Sequence, residues 1–364
     1  MTARKKITAL AIIAAACACM MFTGCIFGSH VGIYDMEQKK IMRRVYDDGK
    51  WRECIVHAHP DEDVFATLQF TGNRTGVCFR KRDKDGKLLE KISLPYFYFS
   101  VDGTRRLSPD KSKLIAETSK ELTLVVFHEN APPELRTFSL SCDAIRYIHW
   151  VSNHELLVMS WDKVPARKPT HKNDYDLDKS VYVYDIRTSK KKMIADVDQK
   201  PREVFLSDDR KSAAIFLTKS HISNFNGHEI VTGVKVKIFD FEQFKQTTEF
   251  DVPQLGFVGV EAAWLNKGKT LAVYDSLNPK IYFHYDMETQ TLTEKKYEIP
   301  AGWKDCWVYH MYDRFWIVQK DGGVYSRTKA RYLYDTQTGE YTRLGGDYMN
   351  ATSLFAGHLL VSEY

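Results

Sequence analysis

Apolar residues recur along this chain in short runs of strand length, rich in β-branched and aromatic side chains and separated by polar clusters. "LLVMSW", "AAIFL" and "LAVYD" are such runs, and "SPDK", "SDDRK" and "LNKGK" are the clusters that precede or interrupt them. The residue types in the clusters are those of tight turns. Asp and Asn hydrogen-bond their own backbone, Pro presets φ, and Gly relieves positive φ.

A second signature follows each apolar run. An aromatic residue and Asp stand together at Tyr34-Asp35, Tyr184-Asp185, Phe239-Asp240, Tyr285-Asp286 and Tyr334-Asp335. The last four are 55, 46 and 49 residues apart, and the first precedes the second by 150, three periods of ~50. The two missing copies fall at "VCFRKRDKDGKLLEKISL" near Phe79 and "LTLVVFHENAPPELRTFSL" near Phe127. After the pair, "DIRTS", "DMETQ" and "DTQTG" supply another turn and then another strand. One unit thus reads as four short antiparallel strands joined by hairpins, and seven units are expected. That is the blade pattern of a β-propeller. The aromatic-Asp ending resembles WD repeats, and "LSPDKSKLIAE" resembles TolB-like propeller repeats. The Gly-His element of WD repeats is absent, so the resemblance is to the propeller superfamily and to no single subfamily.

The ends of the chain complete the pattern. "VGIYDMEQKKIMRR" reads as strands three and four with nothing before them, and "TSLFAGHLLVSEY" as strands one and two with nothing after them. The expected fold is an all-β, seven-bladed propeller over residues 31–364, closed by pairing of the N- and C-terminal segments in one blade. Such pairing removes an open edge.

Residues 1–24 stand apart. Arg4, Lys5 and Lys6 precede an apolar run from Ile7 to Phe22, shorter than the ~20 residues of a spanning helix. The run leads through "FTGC" to Cys25. This resembles the lipobox of bacterial lipoproteins, with Phe22 where Leu is usual. Cys17 and Cys19 also follow small residues, but cleavage there would leave the apolar "MMF" on the mature chain. The resemblance implies lipidation of Cys25, removal of 1–24, a short tether over 25–30, and an envelope location. Several acyl chains on one residue anchor stably where one would not. Ile26 after the cysteine, in place of Asp, implies the outer membrane over the inner one.

Setting the leader aside changes the charge. The whole chain is +5, but its three leading basic residues belong to the leader, leaving 49 basic against 47 acidic residues. No electrostatic case for a nucleic-acid partner survives. Cys54, Cys78, Cys142 and Cys306 are far apart and show no metal or redox spacing, so burial as small apolar side chains is expected. Cys54 and Cys78 are the one pair near enough in sequence for a disulfide.

Three groups of residues are candidates for function. The connections 161–180 and 218–233, in blades three and four, exceed what the repeat needs and read as long loops on one face. They carry Trp161, Arg167, His171, Tyr175, Asp176, His221, Phe225 and His228, a mixture suited to protein recognition. Inter-blade connections add a possible ligand rim of Tyr96, Tyr98, Trp303 and Tyr348, although large aromatics also wedge blades together. His57, His59 and Asp61 of "HAHPDED" are a weak metal candidate. Pro60-Asp61 aligns with Pro109-Asp110 of the next unit, and a hairpin turn accounts for both. No cofactor is expected, and no catalytic motif stands out. The reading is a lipid-anchored, non-catalytic module with an envelope protein partner. An envelope hydrolase or lyase acting on glycans, or a carbohydrate-binding lipoprotein, is the alternative.

Overall fold

The computed structural model describes residues 30–363 apart from 39, 46–52, 59–61, 71–75, 96–104, 118–120, 130, 166–174, 196–200, 223–228, 254–259, 276–279, 302, 304–305, 321–330, 345–348 and 356–357. Its strands form seven four-stranded antiparallel sheets. Six are each one stretch of chain. Sheet one holds Glu53–His57, Val64–Phe70, Gly76–Asp83 and Leu88–Pro95, and sheet two Arg105–Leu107, Lys113–Glu117, Glu121–Val126 and Glu134–Ser139. Sheet three holds Ala144–Trp150, Glu155–Pro165, Tyr175–Asp185 and Lys190–Ala195. Sheet four holds Pro201–Leu206, Ser212–Ile222, Glu229–Asp240 and Lys245–Val252. Sheet five holds Val260–Leu265, Thr270–Asp275, Ile281–Asp286 and Thr291–Lys296, and sheet six Cys306–Met311, Phe315–Lys320, Arg331–Asp335 and Tyr341–Arg343. The seventh is composite. Met349–Phe355 and His358–Glu363 supply its first two strands, and His30–Asp35 and Lys40–Val45 the others, with Val31 opposite Ser362 and Ile33 opposite Leu360.

The chain divides into two compact units. The smaller, Met1–Tyr96 with Tyr348–Tyr364, contains sheets one and seven. They meet where Val31 and Ile33 of the composite sheet pack on Phe65, with Ile55 and Ala58 beside them. The larger, Phe97–Asp347, contains sheets two to six.

In the larger unit the alternation of side chains along each strand makes the packing. Leu156 and Val158 face Ile115, Leu122 and Leu124 of sheet two. Leu157 and Met159, one residue out of phase, face Val204, Ala213 and Ile215 of sheet four. A middle strand is therefore covered on both faces, and Thr270–Asp275 is buried along its whole length. Outer fourth strands are solvated. Thr291–Lys296 is almost entirely exposed, and the lysines of Lys190–Ala195 discourage pairing along a free edge.

Hydrogen bonds tie neighbouring sheets together. The indole N–H of Trp150 donates to the Arg106 carbonyl of sheet two at 2.9 Å, and that of Trp264 to the Phe205 carbonyl of sheet four at 3.1 Å. The Tyr147 hydroxyl accepts the Leu206 backbone N–H at 3.1 Å.

The repeated polar residues are turn parts. Ser108 donates to Asp110 at 2.6 Å, and Asp110 accepts the Ser112 amide at 3.0 Å. Ser207 and Asp209 repeat this at 2.6 Å, with Lys211 donating at 3.0 Å. Lys111 and Arg210 take the left-handed position in these turns, each with φ 61°. Burial alone would raise the Asp110 carboxyl. The Ser108 hydroxyl, the Ser112 amide and Lys113 instead hold it at about 2. Every aromatic-Asp pair ends a third strand, and its Asp caps the following turn. Asp185 accepts the Arg187 amide at 2.8 Å, Asp240 that of Gln243 at 2.7 Å, and Asp286 that of Thr289 at 2.8 Å. In sheet one the cap is Asp83, which accepts the amides of Asp85 and Lys87, four residues beyond the Phe79 position marked by the sequence pattern.

Candidate functional site

The connections in sheets three and four differ from the long loops expected of them. In sheet three the second and third strands stay in register past Trp161, opposite Lys179, out to Pro165 opposite Tyr175. Their flanking strands stop earlier, at the Ala144–Trp161 and Val181–Ala195 pairs. Residues 162–165 and 175–178 are therefore a two-stranded ribbon that projects beyond the sheet. Sheet four repeats the device. Its flanks end at Pro201–Leu217 and Val234–Val252, while pairing of the two middle strands continues to Ile222 opposite Glu229. A register shift between Lys219 and Ser220 bends this second ribbon.

Trp161, Tyr175, Asp176 and His221 consequently lie on paired strands and not in loops. Trp161 is half-buried at the root of the first ribbon. There its carbonyl and the Asp162 carboxylate both accept the Asp143 amide at 3.1 Å. Tyr175 and Asp176 start the returning strand, and His221 stands opposite Ile230 in the second ribbon. Arg167, His171, Phe225 and His228 lie outside the described residues, as do Cys25, Tyr96, Tyr98, Tyr348, His59 and Asp61.

The ribbons share a base. Sheets three and four pack through Met159, Val181, Ile215 and Leu217, just below the points where their flanking strands end. An isolated two-stranded ribbon is marginal in water, and its outer edges carry unpaired N–H and C=O groups. Such edges accept an added strand, a form of peptide recognition in which main-chain hydrogen bonds give the affinity.

Trp303, expected on a ligand rim, is a packing residue. Its ring lies 4.9 Å from that of Tyr332 and 5.2 Å from that of Tyr341, with the Lys320 ammonium 5.5 Å above it. It joins the core between sheets five and six. His57 sits on the first strand of sheet one opposite Ala66. Among the described residues no group of three or more His, Cys, Asp and Glu side chains is placed to hold a metal ion. Cys78 and Cys306 are buried, Cys142 is half-buried, and all three are free, so Cys78 forms no bridge to Cys54.

One constellation escaped the sequence. Arg146, Glu203 and Glu261 stand on the first strands of three successive sheets, and Arg146 reaches Glu203 at 3.4 Å. The available signal was the presence of charged residues in first strands that are otherwise rich in apolar and aromatic side chains: "IRYIHW", "REVFL" and "VEAAW".

The architecture defines the class. The protein is an all-β β-propeller with four-stranded blades. Among solved structures, the tricorn protease resembles it with a TM-score of 0.50 and 12% identity, over 84% of this chain and 31% of that one. Kluyveromyces lactis Hsv2 resembles it with a TM-score of 0.47 and 11% identity, over 86% and 90% of the two chains. The β-propeller domain of the trilobed protease from Pyrococcus furiosus does so with 0.45 and 14%, over 80% and 82%. At these identities the likeness is one of fold. No protein-family model matches the chain, and no curated protein sequence matches it.

Proposed function

We propose that the protein is a lipid-anchored envelope module, a β-propeller in which the N- and C-terminal segments close one blade by pairing in the composite sheet. In this reading it binds a protein partner through the paired ribbons of sheets three and four. The observation that supports docking is the extension of two adjacent hairpins past their own flanking strands. A sheet gains nothing in core packing from such an extension, whereas a partner strand gains an edge to pair with. The lipobox-like "FTGC" supports the anchor. No chemistry is required of the ribbons, and the role is non-catalytic.

The anchor is tested by fractionation. Cys25→Ser should move the protein from the outer-membrane fraction to the uncleaved, inner-membrane-associated precursor pool, and labelled palmitate should no longer be incorporated. A Cys25→Ser protein that still takes up the label and stays with the outer membrane would defeat this part of the reading. The docking part is tested by shortening the ribbons, as set out in the Discussion.

A further inference from the structure

Two hydrogen bonds tie the first strands of sheets two, three and four together around one histidine. The Trp150 indole N–H donates to the Arg106 carbonyl of sheet two at 2.9 Å, and the Tyr147 hydroxyl accepts the Leu206 amide of sheet four at 3.1 Å. His149 lies between these two anchors, its ring stacked on that of Tyr147 with centroids 4.4 Å apart. Arg210 belongs to the turn that follows Leu206, where its amide donates to the Ser207 carbonyl at 2.9 Å. One arginine from sheet two and one from sheet four are thus brought beside His149.

A second observation is independent of this arrangement: Arg106 has no counter-charge. It stands opposite Ile115 in the register, and Ile115 lies in the core with Trp150 and Val158. The arginine side chain therefore leaves sheet two on the face that meets sheet three. Its Nε is shut away from solvent with no hydrogen-bond partner, and among the described residues no carboxylate pairs with the guanidinium. Burial disfavours its charge, and the opposing effect comes from the Tyr147 phenol. A buried charge is ordinarily paired, and a buried N–H ordinarily finds an acceptor. The carboxylates of the neighbouring turn point to other groups. Asp209 accepts the Ser207 hydroxyl and the Lys211 amide, and Asp208 acts on Tyr312 beside sheet six. The missing element is an anion.

We propose that Arg106 and His149, with Arg210 adding its charge, bind a phosphate group. A single guanidinium already satisfies a carboxylate, whereas two cations and an imidazole that donates when protonated suit a dianion with three acceptor oxygens. Arg106 supplies the unused donors, and Arg210, which has contacts of its own, supplies field. The groups that face His149 are Arg106 from sheet two, Tyr147 from its own strand and Arg210 from sheet four. Burial, followed by the charges of Arg106 and Arg210, holds the imidazole well below its usual value. A bound dianion reverses that balance and favours the imidazolium. Binding should therefore take up a proton and tighten as pH falls from about 8 to about 6.

A phosphate group can be free or carried by an organic molecule. Calorimetric titration of the full chain with inorganic phosphate, and separately with glycerol 3-phosphate, separates the two. Tighter binding of the ester supports the site and an esterified source, and equal or tighter binding of inorganic phosphate supports the site and the free ion. Sulfate keeps its charge over this pH range, so its affinity reads the titration of the protein alone. Arg106→Gln should weaken every probe by about tenfold or more. In phosphate-free buffer it should be no less stable than the parent, because it removes an unpaired charge. Arg106→Lys, which keeps the charge without the planar fork, is the comparison should Arg106→Gln fail to fold. His149→Gln should still bind sulfate but lose the pH dependence. No saturable binding of any probe, an affinity unchanged in the folded Arg106 variants, or a sulfate pH profile unchanged in His149→Gln would overturn the proposal. The ribbons take no part in this experiment, so its failure leaves the docking reading untouched.

Discussion

Removing residues 352–364 abolishes cooperative folding of the smaller unit, although the segment is only the end of the chain. His358–Glu363 pairs with His30–Asp35 along the full length of both strands. Without it, the strand carrying Val31, Ile33 and Tyr34 becomes an edge, and these side chains, now 0%, 1% and 3% exposed, lose their cover. Sheet one suffers too, because Phe65 packs on Val31 and Ile33. The combined loss of ladder and core places the expected cost above about 4 kcal/mol, in the range reached only when a structural mechanism fails outright. Chemical denaturation followed by tryptophan fluorescence and by circular dichroism measures it. An unchanged midpoint by both probes would mean that the composite sheet does not support the fold.

Trp150→Ala comes second, at about 3–5 kcal/mol. The side chain is 2% exposed within the core shared by sheets two and three. Its loss leaves a large cavity and orphans the Arg106 carbonyl at the same time. Trp150→Phe separates the two causes. It fills most of the volume but still removes the donor, and should cost about 1–3 kcal/mol. A Phe variant as unstable as the Ala variant would show that volume is not what holds the two sheets together. The Ala variant should shift the urea midpoint without changing the slope.

The blade pattern was legible because turn chemistry leaves a strong trace. Asp at the end of a third strand is needed to cap the next turn, and Asp185, Asp240, Asp286 and Asp335 all do so. Asp335 has a further role. It accepts two hydrogen bonds from the Arg314 guanidinium, at 3.0 and 2.7 Å, and this pairing holds its carboxyl at about 2. The half-repeat at each end was equally legible, since each half carries its own strand and turn signature, and the pairing of His30–Asp35 with His358–Glu363 follows from it.

The ribbons were misread for a physical reason. A strand is recognised by alternation between a buried and a solvated face. Residues 162–165 show no such alternation, because a ribbon that projects from its sheet has no core to bury a face against. The polar residues Asp162, Lys163, Asp176 and Asp178 and the proline Pro165 read as loop, while the backbone pairing that defines the ribbon leaves no compositional mark. The Arg146–Glu203 pair was hidden differently. Arg146 and Glu203 are 57 residues apart, and only the packing of sheet three on sheet four brings them together.

The docking claim is tested most directly by cross-linking in intact cells with identification of the linked peptides by mass spectrometry. Two proteins are compared: the full chain and one in which residues 163–178 are replaced by a tight turn. Docking predicts a partner linked to residues 161–180 or 218–233 of the full chain, and loss of that partner from the shortened one while thermal stability is unchanged. The same partner linked in equal yield to both proteins, or links confined to other sheets, would contradict it.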